Sequence, residues 1–305
     1  MMNILVTGGL GVVGKLLSEE LMRRGYEVWI SDRMHSPEPN YIRCDVSEFH
    51  QVENLFARVR FDYIYHLAAE FGRRNGEEFY ETLWKANAIG MKNMIRMQEK
   101  LGFRMIFSSS SEVYGDYRGI MSEDVMDKGA IRQMNDYAMS KWVNEMQILN
   151  SADKFGTETV RVRLFNTYGP GEYYSEYRSA ICVFIYRVLH NLPYTVYTKH
   201  KRTSSYIDDT VRTMANITES FKPSEVYNIA GNELHDMKWV SDIILGYIGK
   251  DDGLVEYRDM EETTTLEKMV DISKAVRVLG HQSTVTLKEG IGRTIDWQRG
   301  VYGIV

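Results

Sequence analysis

The run Val6-Thr7-Gly8-Gly9-Leu10-Gly11-Val12-Val13-Gly14-Lys15 constrains this chain more than any other feature. It sets Gly8, Gly11 and Gly14 between an apolar stretch and an amphipathic one. A strand-to-helix turn of this kind needs a residue that tolerates unusual backbone angles, a backbone open to a pyrophosphate and a close helix–sheet contact. A Cβ would obstruct each of these. The helix start then offers unpaired N–H groups to a phosphate. Glycines alone are weak evidence, but a strand before them and a helix after them predict a dinucleotide-binding turn. Gly8, Gly11, Val12 and Val13 are then the residues against the cofactor.

The remainder of the chain continues the alternation. Residues 3–7, 27–31, 41–44, 62–67, 103–108 and 159–165 read as strands, and 15–24, 47–60, 76–100 and 136–153 carry helical periodicity. Strands alternating with helices predict an α/β fold, a Rossmann-type doubly wound parallel sheet with right-handed crossovers. After Asn166 the rhythm changes. Residues 172–179 are polar and tyrosine-rich, 180–191 read as a helix, and 194–197 and 204–207 as short strands. A further core strand is expected at 225–229, with helices at 237–249, 273–279 and 286–299. This predicts a dinucleotide-binding domain over 1–166 with a returning segment near 206–230. A smaller C-terminal substrate-binding lobe is built from 167–205 and 231–305, with the cleft between the two.

Composition excludes several classes. The chain has 305 residues, with 37 Lys and Arg against 42 Asp and Glu, a net charge of −5 and no basic block. Such a chain is a poor match to nucleic acid or an anionic membrane. No apolar run approaches the roughly 18 residues of a membrane helix. Cys44 and Cys182 are the only cysteines, too few for a disulfide framework or a cysteine-rich metal site, and no metal is expected. The glycine turn begins too early to leave room for a signal peptide, so a cytoplasmic protein is expected.

Asp32 ends the second strand, where a carboxylate accepts hydrogen bonds from the adenosine ribose and repels a 2′-phosphate. Arg33 beside it is able to host that phosphate or to be a solvated turn residue; the balance favours NAD. Asp45-Val46 suits an adenine contact, with Asp45 as a helix cap the alternative. Leu67-Ala68-Ala69 leave room for the cofactor's backbone. Tyr137 and Lys141 lie one helical turn apart on one face. A free phenol has a pKa of about 10, and a neighbouring ammonium with oxidised nicotinamide favours the phenolate. Ser108-Ser109-Ser110-Ser111-Glu112-Val113-Tyr114-Gly115 follows a core strand, whose C-terminal end lines the ligand crevice in such sheets.

Taken together, Gly8–Gly14, Asp32, Asp45-Val46, His66–Ala69, Ser110–Gly115, Tyr137–Lys141, Arg163–Asn166 with Tyr168-Gly169-Pro170, Arg202–Asp209 and Tyr227–Gly231 resemble the extended short-chain dehydrogenase/reductase family. Its members of this type are NAD-dependent nucleotide-sugar epimerases and dehydratases, and the resemblance covers nearly the whole chain. It implies that Tyr137 takes the proton of the sugar C4 hydroxyl, that Lys141 holds the nicotinamide ribose, and that Ser110 hydrogen-bonds the reacting oxygen. Ser108 and Asn87 fall near the cofactor. Asn166, Arg178, Tyr197 and Arg202 fall near the substrate, Arg202 and Asn166 on its phosphates.

Glu112 resembles the carboxylate of dehydratases and decarboxylases rather than the small residue of many 4-epimerases, and would remove the C5 hydrogen of a 4-keto sugar. Ser111 stands where the dTDP-glucose enzymes keep an aspartic acid. The expected reaction is a redox-neutral 4,6-dehydration of a nucleotide-diphosphate sugar. The alternatives are 4-epimerisation, UDP-glucuronate-type decarboxylation, a simple dehydrogenase and, in a different class, a non-catalytic NAD(P)-binding regulatory protein. Arg73 and Arg74 are able to meet a sugar carboxylate or phosphate, or to be an exposed loop pair. Lys199, His200 and Lys201 are able to add phosphate contacts or to form a solvated loop. A homodimer is expected through the helices at 76–100 and 136–153, because Phe79, Leu83, Met91, Met94, Ile95 and Met97 exceed one core-facing stripe.

Overall fold

Seven strands form one parallel sheet in a computed structural model that describes residues 2–304. Their order is Val226–Ile229, Thr159–Leu164, Arg104–Ser110, Tyr63–His66, Asn3–Thr7, Glu27–Asp32 and Tyr41–Arg43. Each neighbouring pair is parallel. The central strands are buried on both faces, Tyr63–His66 along its whole length, which is why they read as apolar runs rather than alternating ones. Asn3–Thr7 has its successor Glu27–Asp32 on one side and Tyr63–His66 on the other. The chain changes direction there, and a crevice opens beyond the strands' C-terminal ends.

Helices cover both faces. Leu17 and Leu21 of the helix Val12–Arg23 pack in one core with Ile4 and Val6. Met91, Met94 and Ile95 pack in a second core with Leu5, Ile64 and Met105. A third, smaller core joins Val113, Tyr114 and Phe165. After the sheet's sixth strand in sequence, Thr159–Leu164, the chain builds small two-stranded pairings, such as Tyr194–Tyr197 with Val255–Arg258 and Lys201–Thr203 with Leu234–Asp236.

Two expectations change. Residues 76–100 are not one helix but Arg73–Glu78, Tyr80–Trp84, a π-turn at Lys85–Ile89 and Gly90–Leu101. The wide turn carries Asn87, whose side chain bonds Glu70 N–H, Glu70 C=O and the Ser140 hydroxyl, while Asn144 Nδ2 donates to the Asn87 carbonyl. The Gly90 N–H meanwhile reaches the Lys85 carbonyl, the wider bonding of a single π-turn within a helix. Residues 207–219, in turn, form the helix Ile207–Glu219 against Val12–Arg23, in a segment read only as the tail of a short strand. Its buried Ile207, Val211, Met214 and Ile217 do carry helical spacing.

Leu83, Met91, Met94, Ile95 and Met97 are buried within the chain's own core, so of the six residues offered for a dimer face only Phe79 is exposed. Among the described residues no helix is long and apolar enough to cross a membrane.

Candidate active site

A cavity of about 1090 Å³ opens at the crevice, running from the glycine turn to the C-terminal part of the chain. Gly8 adopts φ +68°, and a Cβ there would lie 2.7 Å from the Ala68 backbone nitrogen. A Cβ on Gly14 would lie 2.2 Å from the Gly8 carbonyl oxygen, so the helix meets the turn only without one. Gly11 precedes the helix with no side-chain cap, leaving the first N–H groups free for an anion.

Asp32 stands beside this turn, its Oδ2 accepting from Leu10 N–H at 3.2 Å. Arg33 is drawn away to Glu70, Nη1 to Oε1 2.7 Å, which occupies the cation that would favour a 2′-phosphate. Asp45 lines the cavity and accepts from Ser47 N–H and Oγ–H in the turn before the helix Phe49–Arg58, whose N-cap is Glu48 with no side-chain cap, so Asp45 does not cap that helix. Val46, Leu67, Ala68, Ala69 and Ser108 continue the wall. These residues suit a dinucleotide: a glycine cradle, a carboxylate at the C-terminal end of the strand Glu27–Asp32 and an apolar wall beyond. Asn87 does not line the cavity. Buried behind it, the amide gives its donors and acceptor to Glu70 and Ser140.

The strand Arg104–Ser110 and the helix Asp136–Phe155 bring the chemistry together. Ser110, Ser111, Glu112, Tyr137 and Lys141 all line the cavity. The ammonium of Lys141 donates to the Ser108 carbonyl at 2.8 Å and lies 5.8 Å from the Tyr137 ring centroid. Burial brings Lys141 down to about 8, against the pull of Glu145. Burial pushes the Tyr137 phenol up to about 12; the Ser110 hydroxyl opposes this and the Glu112 charge adds to it. In the protein alone the phenol is therefore far from a base at neutral pH. Below it a buried network fixes the strand end: Glu145 accepts from Ser109 at 2.6 Å and from Arg163 at 2.8 Å.

The sugar end departs from expectation. Glu112 is not free: its Oε1 pairs with the buried ammonium of Lys268 and stands 3.7 Å from Arg73 Nε. Burial acts to raise this carboxyl, but Lys268, Arg73 and Arg202 overcome it and hold the group at about 2. A carboxylate so stabilised is a weak base for a carbon acid. Arg202 lines the cavity with its guanidinium on neutral acceptors, the Lys201 and Leu266 carbonyls at 2.9 Å, and burial lowers it to about 10. Asn166 lines it in a left-handed conformation, φ 38°, its amide donating to the Thr203 carbonyl. Tyr197 lines it beside the His200 ring, and Arg178 stacks on Phe71, 4.3 Å from the ring centroid, with a buried Nε that has no partner.

Sequence reasoning missed Lys268 and Glu261 altogether. Arg73 ion-pairs with Glu261 and Arg74 with Glu176, so neither is a bare loop cation. Lys199 and Lys201 pair with Asp259 and Glu267 on the surface, while His200 turns inward to the cavity. Within the tyrosine-rich stretch 172–179, Tyr174 stacks on Tyr186 with ring centroids 3.7 Å apart.

The sequence matches the model of the NAD dependent epimerase/dehydratase family across residues 4–230. It is similar to UDP-glucuronic acid decarboxylase 1 of Xenopus tropicalis, 28% identical over 309 residues, covering 97% of this chain and 72% of that protein. The fold is similar to that of the Thermus thermophilus UDP-glucose 4-epimerase in complex with NAD, at TM-score 0.87 and 25% identity over 98% of this chain and 99% of that one. A structure of MoeE5 with UDP-glucuronic acid and NAD superposes at TM-score 0.85 and 25% identity, over 98% and 99% of the two chains.

Proposed function

The chain belongs to the NAD dependent epimerase/dehydratase family, and on that premise we propose that it oxidises C4 of a nucleoside-diphosphate hexuronic acid and releases CO₂ from the 4-keto acid. One observation carries the reading. Arg73 lines the cavity with its guanidinium between Glu261, 2.8 Å away, and Glu112, 3.7 Å away, while Lys268 is buried behind Glu112 and paired with it. A carboxylate on the sugar offers this guanidinium a bidentate partner that a neutral sugar lacks. The neutral hydroxymethyl that a 4,6-dehydratase acts on offers no such partner, and Glu112, paired with Lys268 and held at about 2, is a poor candidate for the C5 base that dehydration needs. The decarboxylase relative points the same way.

Gly8, Gly11, Val12 and Val13 would hold the cofactor's pyrophosphate, Asp32 its adenosine ribose, and Asp45 and Val46 its adenine. Leu67, Ala68, Ala69, Ser108 and Lys141 would line its nicotinamide half. NAD held there would supply the hydride acceptor for C4 and the hydride that restores it. Tyr137 takes the C4 hydroxyl proton while Ser110 holds the same oxygen, and Lys141 supplies the positive charge that brings the phenol into range. Arg178, Asn166, Tyr197 and Arg202 bind the nucleotide and its phosphates. With C4 a ketone, the C5–C6 bond breaks, its electrons pass to the C4 oxygen, CO₂ leaves and C5 takes a proton. Glu112 positions Lys268 and Arg73 around the sugar, and Ser111 stands within 3.4 Å of the Lys268 ammonium.

A second reading, 4-epimerisation of the same uronic acid, shares the Arg73 observation and is favoured by the likeness to the Thermus thermophilus UDP-glucose 4-epimerase. The same proposal includes a homodimer, through exposed Ile89, Met139 and Met146 rather than the residues buried in the core. Incubation with UDP-glucuronic acid and UDP-glucose, followed by mass spectrometry, tests the reaction. CO₂ loss from the uronic acid without net NADH is expected. Loss of water from the neutral sugar, with the uronic acid untouched, overturns the reading in favour of dehydration.

A further inference from the structure

Two segments far apart in the chain meet over the sugar end of the cavity, and the contact between them is ionic. Arg73 opens the short helix Arg73–Glu78 after the core strand Tyr63–His66, whereas Glu261 follows the strand Val255–Arg258. Arg73 Nη1 is 2.8 Å from Glu261 Oε2, while its Nε faces Glu112 at 3.7 Å. Arg73, Glu112 and Glu261 all line the cavity. Glu261 is held by its backbone, whose N–H donates to His200 Nε2 at 2.9 Å. Among the described residues its carboxylate has no ion-pair partner but Arg73.

We propose that Arg73 selects a carboxylate on the sugar, and that Glu261 is an internal carboxylate occupying the guanidinium until substrate enters. The inference rests on the uronic acid reading above. A guanidinium binds a carboxylate best through two parallel N–H groups in one plane. Here Nη1 is given to Glu261 and Nε faces Glu112 beyond hydrogen-bond distance, so neither parallel N–H pair is filled by one carboxylate. An incoming carboxylate takes the fork, and the Glu261 side chain, 21% exposed, turns out to water.

The exchange replaces one anion by another, so the buried cluster keeps its balance. A neutral sugar has nothing to offer Arg73, and gains nothing by breaking the pair. Discrimination thus comes from the competitor as much as from the new contact. Neighbouring contacts of the same segment do not depend on Glu261: Arg74 Nη2 reaches Glu176 at 3.3 Å, and Tyr177 O–H donates to Glu78. They keep the segment in place when the Arg73–Glu261 pair is removed.

The test titrates NAD-loaded protein with UDP-glucuronic acid and with UDP-glucose, by calorimetry, in wild type, Arg73→Gln, Arg73→Lys and Glu261→Gln. Arg73→Gln is expected to weaken UDP-glucuronic acid by about tenfold or more, the size of a lost charge-assisted hydrogen bond, with UDP-glucose changed far less. Arg73→Lys keeps the charge without the fork and recovers part of the loss. Glu261→Gln removes the competitor and tightens UDP-glucuronic acid alone. NAD content and melting temperature establish that each variant is folded, and a misfolded Arg73→Gln leaves Glu261→Gln to decide. Equal weakening of both sugars in Arg73→Gln, or looser UDP-glucuronic acid in Glu261→Gln, overturns the assignment. Wild-type protein that binds UDP-glucose but not UDP-glucuronic acid sinks the uronic acid reading and this inference with it. Wild-type binding of the uronic acid that survives Arg73→Gln unchanged sinks this inference alone.

Discussion

Charge burial governs the site at the scale of single residues. Tyr137 is raised by its burial, with the Glu112 anion adding to the shift, and Lys141 is lowered by its own burial. Tyr137→Phe removes the C4 base without touching the glycine turn, so turnover is expected to fall by about 10²-fold or more with co-purified NAD retained. Turnover assays beside cofactor release from denatured protein check it. Glu112 and Lys268 form a buried pair, and breaking such a pair costs more than never having it. Glu112→Gln should cost about 3–5 kcal/mol by leaving Lys268 unpaired, whereas Glu112→Gln with Lys268→Met should recover most of that. Thermal melts of the two variants decide the point. The pH sign follows from the same pair. Glu112 lies below its ordinary 4.5, so its ionised form contributes stability above pH 4.5 that is lost as pH falls towards 2. Acid unfolding monitored by circular dichroism over that window should be shallower in the double variant than in wild type.

Close approach and its exceptions decide the elements. The glycine turn works because backbone meets backbone: a Cβ on Gly14 falls 2.2 Å from the Gly8 carbonyl, an obstacle that no side-chain rotation relieves. Gly14→Ala should therefore lower stability by about 1–3 kcal/mol and strip the protein of NAD, read from melting temperature and cofactor content. The π-turn at Lys85–Ile89 shows the opposite case, a helix departing from regularity because tertiary partners offset the loss. Asn87 bonds the Glu70 backbone and Ser140 from that turn, beneath the cavity wall that Glu70 and Ala69 form. Asn87→Ala leaves those buried groups unpaired and should cost about 1–3 kcal/mol, measured by denaturant unfolding. Gly90 just beyond packs on Val46, where a Cβ would come within 2.8 Å of Cγ2. The broken helix thus backs the cavity wall at Val46 as well as the core.

The proposed dimer covers Ile89, Met139 and Met146, which are among the exposed apolar side chains and lie on elements that pack together. A dimer covering them is expected in light scattering at working concentration, and Met146→Lys with Ile89→Glu should shift it to monomer; a wild-type monomer removes the proposal. Much of this molecule was legible in its sequence. The glycine turn, the strand-and-helix alternation, Asp32 and the Tyr137–Lys141 pair are all local patterns, fixed by backbone geometry and side-chain period over a few residues. The helix Ile207–Glu219 had its period too, but Tyr206 at its start offers no capping side chain, and β-branched Thr210, Val211 and Thr213 blur the helical signal. What no local pattern carried is the charge arrangement at the sugar end. Lys268 reaches Glu112 from 156 residues away, and Glu261 reaches Arg73 across a similar span of chain. Hydrogen-bonded periodicity is written into consecutive residues, whereas Coulomb pairing in a buried cavity depends on where irregular segments of the chain finally lie. The sequence by itself determined a dinucleotide fold with its tyrosine and lysine in place. Only the tertiary structure decided that Glu112 is a partner to cations rather than a free base, because only there do Lys268 and Arg73 enclose it.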